Sequence, residues 1–394
     1  MKFEQSKRIK SLPPYALGAV KSLMHEERAK GIDVIDLGMG NPDKPTPQHI
    51  VDKLCEVARD PKAHRYSVSK GLSGLRKAVA FRYKEDFNID LDPEKEVIAT
   101  IGAKEGISHL AMALLGDGDQ ALVPNPTYPI HLYSIVIAGG KVISMPLLKE
   151  NNFIIDLNKI KMSQYSPKPK VLLLSYPHNP TTATVDLKFF EDVVAFAKQE
   201  NLVVIHDYAY KDLHFDGYKP PSFLQAKGAK DVGVEFYSLT KSYNMAGWRI
   251  AFCLGNEKVI SDLAKLKGYM DYGIFTPIQV AAITALKGDQ KCTAEIADVY
   301  RVRRDVLIDG LAKAGWNIPK PNTTMFIWAE IPDKFKAMGS VEFSKLILRE
   351  GAVTVSPGIG FGEYGEGYVR FALVENEERI KQAVRGIKKV LERK

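Results

Sequence analysis

Cysteine is scarce in this 394-residue chain, which holds only Cys55, Cys253 and Cys292. An odd number with no C-x-x-C pair argues against a disulfide framework or a zinc site and reads as free thiols in a reducing compartment. No apolar run approaches the ~18 residues that a membrane helix needs. The opening stretch, Met1-Lys-Phe-Glu-Gln-Ser-Lys-Arg8, lacks the apolar core of a signal peptide. Internal repeats, low-complexity segments, a Walker A segment and a His-Glu-x-x-His pair are all missing. Dense basic blocks are missing too. The net charge of +8 comes from 55 Lys plus Arg interleaved with 47 Asp plus Glu. That pattern suits a diffuse field attracting anionic metabolites better than it suits nucleic acid. What remains is an ordinary globular composition, 45% hydrophobic and 26% charged, read as cytoplasmic.

Short β-rich runs alternate with amphipathic stretches. Strands are expected at Val97–Ile101, Gln120–Val123, Val142–Met145, Val171–Ser175 and Val203–His206. Helices are expected at Lys104–Leu115, Pro129–Ala138 and Leu187–Glu200. This alternation predicts an α/β fold, a mostly parallel sheet between helices, with function at the carboxyl ends of the strands. After about residue 290 the pattern changes to a long helix over Ala294–Ala314, strands near Met325–Ala329 and Tyr368–Ala372, and helices at Val341–Glu350 and Glu377–Leu391. A smaller α+β domain is expected there, joined by a helix over Leu17–Ala29 and a strand over Val34–Leu37. The expected division is therefore 1–40 (an arm containing Pro13-Pro14, and part of the small domain), 41–290 (large domain) and 291–394 (small domain).

The chemistry concentrates where apolar runs end. Val232–Tyr237 delivers Ser238, Lys241 and Arg249 into one turn-rich segment, and Leu202–Ile205 ends at Asp207 with Tyr210 just beyond. A lysine beside an anion-binding Ser and Arg, with a carboxylate on a neighbouring strand end, is what a pyridoxal phosphate site requires. Alone, Lys241 would be one more solvated surface lysine. Gly102-Ala-Lys-Glu-Gly106 lies between a strand and a helix, where free N–H groups and the helix dipole hold phosphate, although in isolation it would pass for a plain turn. Tyr128 in Asn125-Pro-Thr-Tyr-Pro129 could stack on a flat ring or pack locally. Asn179 in Tyr176-Pro-His-Asn-Pro-Thr181 can donate to a ring oxygen. His178, without a partner at ligand spacing, is read as incidental. Arg370, inside an otherwise apolar strand, suits a substrate carboxylate or a structural ion pair. Gly360-Phe-Gly-Glu-Tyr-Gly365 matches G-x-G-x-x-G but precedes a strand, so it is read as a mobile glycine-rich loop rather than a dinucleotide site.

Taken in order over nearly the whole chain, these segments resemble the fold-type I pyridoxal phosphate enzymes of the class I/II aminotransferases. The resemblance implies a homodimer with active sites at the subunit interface, acting on amino acids and 2-oxo acids. It implies Lys241 as Schiff-base lysine and proton shuttle, Asp207 on the ring nitrogen, and Asn179 and Tyr210 on the ring oxygen. Tyr128 would stack on the ring. Ala103, Lys104, Ser238 and Arg249 would hold the phosphate, with Tyr66 reaching across from the other subunit. Arg370, Asn179 and the backbone near Gly40 would bind the α-carboxylate. Two departures stand out: Thr182 replaces the glycine usual after Asn-Pro-Thr, and Lys104 replaces a common hydroxyl residue. No arginine in Tyr269–Phe275 presents itself as reader of a distal carboxylate. Leu12-Pro-Pro-Tyr15, Met39-Gly-Asn-Pro-Asp43, Thr240–Arg249, Asp271–Pro277 and Ser356–Gly362 look most similar to bacterial glutamate–pyruvate (alanine) aminotransferases. LL-diaminopimelate aminotransferases share several, including a tyrosine comparable with Tyr15. Aspartate or methionine transamination, a C–S β-lyase and a non-catalytic regulator are the other readings.

Overall fold

The computed structural model describes residues 4–12 and 16–393. The expectations for Tyr15 and for Pro13-Pro14 lie outside these residues. The strands, in chain order, are β1 (Ile35–Asp36), β2 (Val97–Thr100), β3 (Gln120–Asn125), β4 (Lys141–Pro146), β5 (Val171–Ser175), β6 (Val203–Asp207), β7 (Gly233–Ser238), β8 (Ala251–Gly255), β9 (Phe326–Glu330), β10 (Val353–Thr354), β11 (Ser356–Pro357) and β12 (Tyr368–Ala372). Seven of them form one sheet in the order β2-β8-β7-β6-β5-β3-β4. Every pairing in it is parallel except the two made by β8.

The central strands are apolar throughout because both faces are covered. In β5, Leu172 and Leu174 join one core while Val171 and Leu173 join the other. A period of two with both phases buried leaves no polar stripe, and this is how a parallel strand reads. Helices start where side chains accept from orphan N–H groups. Asp186 caps Leu187–Glu200 through Phe189 N, and Asn376 caps Glu377–Leu391 through Arg379 N. The chain runs from β3 outward to β4, then back to the other side of β3 as β5. That reversal is where an α/β sheet opens a crevice at its carboxyl edge.

A separate core lies around β9 and β12, packed by Leu307 and Leu311 of the helix Lys291–Lys313, by Phe343 and Ile347, and by Ile380 and Ile387. Ile35 and Leu37 belong to it, since β1 pairs with β10. Tyr210, Leu213 and Phe215 join it as well, so the loop after β6 bridges to this second core.

Three expectations change. The strand near residue 35 is only two residues long, the extent of its ladder with β10. Strand β8 and the helices Gln48–Ala58, Ser73–Phe87, Glu257–Met270 and Thr276–Lys287 occupy stretches that had no assignment. Gly360–Gly365, expected as a mobile loop, is folded into two consecutive 3-10 turns. Tyr364 N donates to Asn125 Oδ1 at 3.3 Å, and a side chain at Gly362 would collide with Asn125. Those glycines serve close approach to β3 rather than mobility.

Beneath the sheet's carboxyl edge, Glu235 is fully buried on β7. It accepts from Tyr83 Oη and Ser222 Oγ (both 2.7 Å) and Phe223 N (2.8 Å), and His206 Nδ1 lies 2.9 Å away. Removing the carboxylate leaves these donors unpaired in a fully buried site. Glu235→Leu is expected to cost about 3–5 kcal/mol of stability, and Glu235→Gln less. Thermal and denaturant unfolding of the two variants against the parent chain measure the difference.

Candidate active site

Strand ends converge on a cavity of about 900 Å³. β7 ends at Ser238, whose Oγ accepts from Thr240 N (3.2 Å) and starts the short helix Leu239–Ser242. That turn presents Lys241 to the cavity, where its Nζ donates to Gly40 O at 2.7 Å. Arg249 follows with a left-handed backbone (φ 55°) and rests its guanidinium against Gly102. Gly102 itself has φ 79°, and a Cβ there would run into Arg249. The helix Ala103–Leu114 begins at that point, so the N–H groups of Ala103 and Lys104 open its first turn beside Ser238 and Arg249. This is an anion cradle of a helix start, a hydroxyl and a guanidinium.

Asp207 is 6% exposed at the end of β6. His131 Nε2 donates to its Oδ2 at 2.9 Å, and Ala209 N to its Oδ1 at 3.2 Å. With Nε2 as donor, Nδ1 accepts from Thr127 Oγ1 at 2.7 Å, which defines the His131 tautomer. A buried carboxylate aimed into a cavity asks for a further cationic or N–H partner there. Tyr128 lines the same cavity and sets its ring edge-on to His131, at 5.8 Å and 87°.

Opposite lies Arg370 on β12. Its Nη1 donates to Asn179 Oδ1 (2.8 Å) and its Nη2 to Gly38 O (3.0 Å). Phe326 and Phe361 cover the guanidinium, 4.1 and 4.6 Å from ring centre to Cζ. Asn179 Nδ2 donates in turn to Tyr210 Oη at 3.4 Å. Burial pushes the Tyr210 phenol far up, so it stays a donor at any working pH. Lys241 moves the other way, down to about 7, through burial first and then the charges of Arg370 and Arg249.

The structure thus brings Lys241, Asp207, Tyr210, Ala103, Lys104, Tyr128, Asn179, Ser238, Arg249, Gly40 and Arg370 to one cavity. Tyr66 is not among them. It is 87% exposed on the outer surface, its ring 4.9 Å from that of Tyr272. His178 is buried, bonds Thr181 Oγ1 at 2.7 Å, and is held down to about 3 by burial and then by His131. It is a neutral packing residue. One trio with metal-ligand spacing exists among the described residues, Glu105, His109 and Asp271. The Lys267 ammonium already sits there, 3.0 Å from Glu105 and 2.8 Å from Asp271.

Sequence reasoning missed His131, Phe326, Phe361 and the wall formed by Gly18, Val20, Lys21 and Met24. His131 was within reach, because it lies one turn into a helix whose start at Pro129 was expected. The others come from segments 85 residues or more distant from Lys241 in the sequence and carry no local signal.

The model of the family "Aminotransferase class I and II" matches residues 32–387. Glutamate-pyruvate aminotransferase AlaC of Escherichia coli K12 is 53% identical over 381 residues, 97% of this chain and 92% of that protein. An LL-diaminopimelate aminotransferase of Moorella thermoacetica is 43% identical, over 98% of each chain. Among solved structures, substrate-bound BacF of Bacillus subtilis superposes with a TM-score of 0.94 at 39% identity, over 98% of each chain.

The depressed Lys241 can be checked directly. In cofactor-free protein, acetylation followed by peptide mass spectrometry is expected to label Lys241 with a pH midpoint near 7. Exposed lysines should follow a midpoint above 10. Arg370→Met should raise the Lys241 midpoint, since it removes one of the two positive neighbours.

Proposed function

The chain belongs to the class I and II aminotransferases, and from that premise we propose that it transfers the amino group of alanine to 2-oxoglutarate with pyridoxal phosphate as cofactor. One observation carries the cofactor reading: Lys241 emerges between an anion cradle and a buried carboxylate in a single cavity. The residues fit the cofactor group by group. Gly102 cannot bear a side chain without displacing Arg249, so the cradle is shaped for the close approach of an anion. Ser238, Arg249 and the N–H groups of Ala103 and Lys104 would hold the phosphate. Asp207 would hold the ring nitrogen, Asn179 and Tyr210 the ring oxygen, Tyr128 the ring face and Lys241 the aldehyde carbon.

When bound, the cofactor supplies an electron sink for the carbanion formed at the substrate Cα. The chain's own residues do the rest. Arg370 grips the α-carboxylate with a planar fork already oriented by Asn179, Gly38 and two aromatic faces. Lys241, with its amine depressed to about 7, is available uncharged at neutral pH to take and return a proton at Cα. His131 and Ala209 N fix the two oxygens of Asp207 where it lines the cavity. Tyr66, outside its own cavity, would serve the site of a second copy, and the exposed Tyr269, Tyr272 and Phe275 nearby suit burial in a homodimer.

The substrate pair rests on the likeness to the Escherichia coli enzyme. LL-diaminopimelate is the competing donor, on the likeness to the Moorella enzyme. We also take residues 41–290 as the cofactor domain and 1–40 with 291–394 as the arm and small domain, supported by the separate core around β9 and β12. A reducing, cytoplasmic setting fits the three free cysteines.

A panel of amino acids with 2-oxoglutarate, scored for glutamate, tests the pair. Alanine is expected to be the strong donor, with aspartate, methionine and LL-diaminopimelate weak. Pyruvate released from cystathionine without any 2-oxo acid would mean a lyase instead. Lys241→Ala is expected to lose at least roughly 10⁴-fold in turnover, the upper range for removing a positioned acid–base. Wild-type turnover in that variant would overthrow the assignment.

A further inference from the structure

Five cations line the cavity: Lys21, Lys104, Lys241, Arg249 and Arg370. Among the described residues only two acids face them, Asp36 and Asp207. Both acids are engaged, Asp36 by Thr354 Oγ1 (2.6 Å) and Gly38 N (2.9 Å), and Asp207 by His131. The proposed function uses four of the five cations. Lys104 and Arg249 belong to the anion cradle, Lys241 to the proton transfer and Arg370 to the α-carboxylate. Lys21 is left over. It lies on the helix Ala16–Ala29, is exposed, and makes no ion pair among the described residues.

An alanine–2-oxoglutarate exchange poses a problem that Lys21 can solve. One cavity must take a methyl side chain in one half-reaction and a second carboxylate in the other. A rigid, buried arginine would reject the methyl partner, because its charge would be left desolvated and unpaired. An exposed ammonium on a flexible four-carbon stem can turn inward to a carboxylate and outward to water. Val20 and Met24, from the same helix, and Met39 give the apolar surface that a methyl group meets. The stretch Tyr269–Phe275 supplies no arginine for this task.

We propose that Lys21 is the specificity-determining residue that binds the distal carboxylate of a five-carbon dicarboxylic substrate whose α-carboxylate lies on Arg370. The inference rests on the proposed function for the placement of the α-carboxylate. It adds the residue that reads the distal carboxylate, placed on the N-terminal helix of the substrate's own subunit.

The experiment compares holoenzyme with its Lys21→Met and Lys21→Arg variants. Each half-reaction is followed separately by cofactor absorbance, once with glutamate and once with alanine. Lys21→Met is expected to lose roughly tenfold to a hundredfold in kcat/KM for glutamate relative to alanine, the range of a lost charge-assisted hydrogen bond. Lys21→Arg should keep most of the glutamate preference. Added salt should weaken glutamate in the parent more than in Lys21→Met. An unchanged glutamate-to-alanine ratio in Lys21→Met overturns the proposal. A second arm measures binding of glutarate and pentanoate to the holoenzyme. The parent should prefer glutarate, and Lys21→Met should lose that preference. If the parent fails to transaminate alanine yet shows this Lys21-dependent preference, the substrate pair is wrong and the role of Lys21 stands. If it transaminates alanine and 2-oxoglutarate while Lys21→Met binds both acids like the parent, the role falls and the pair stands.

Discussion

Lys241, Arg249 and Arg370 face one cavity, and the fold has to hold them there against mutual repulsion. Each is restrained differently. Arg370 spreads its charge over two carbonyl-type acceptors and two aromatic faces. Arg249 is fixed by a left-handed backbone and by Ala246 O at 3.0 Å. Lys241 yields instead, since its amine gives up its proton near pH 7 rather than 10.5. The linkage follows with a definite sign. Below pH 7 both folded and unfolded chains carry the proton, and the folded state bears the full penalty. Between 7 and 10.5 the unfolded chain binds more protons than the folded one, so this group's contribution to stability rises with pH. The same concentration of positive charge favours anions in the cavity and keeps a neutral amine available.

The strand-end residues were legible in the sequence for one physical reason. A parallel strand covered on both faces reads as an apolar run, and its carboxyl end faces the crevice. Ser238, Asp207, Asn179 and Tyr128 all follow such runs. What stayed hidden has the opposite character. β8 is antiparallel and lies between β2 and β7, a pairing that no helix alternation announces. Phe326 and Phe361 matter through a contact with Arg370 that only the folded small core creates. The glycine-rich stretch misled because low side-chain content looks the same whether it serves motion or close packing. Asn125 decides the question, and it lies more than 230 residues away.

A second layer of charge lies behind the first. Glu105 Oε2 accepts from Ile101 N at 2.8 Å, just before the Gly102 turn, and its Oε1 meets Lys267. Lys267 continues to Asp271, whose Oδ1 accepts from Gly273 N and whose carbonyl accepts from Ser69 Oγ. This trio, a buried Lys267 between two half-buried carboxylates, ties the anion cradle to the surface segment carrying Tyr66 and Tyr272. Breaking a buried pair strands a charge, so the cradle and that surface are held in fixed relation.

The segment 36–43 is the common reference for the whole site. Asp36 anchors it to Thr354, and Asp43 anchors it to Arg303, whose Nη1 and Nη2 reach its two oxygens at 2.6 and 2.8 Å. Between the anchors, Gly38 O accepts from Arg370 and Gly40 O from Lys241. A Cβ on Gly40 would lie 2.6 Å from Phe326, the ring that also covers Arg370. One stretch therefore sets the distance between the Arg370 guanidinium and the Lys241 amine. Under the proposed function, substrate Cα would lie between those two groups. The residue types follow from that: glycine where backbone must approach a ring, and acids only at the ends, where arginine and threonine from the small core can hold them.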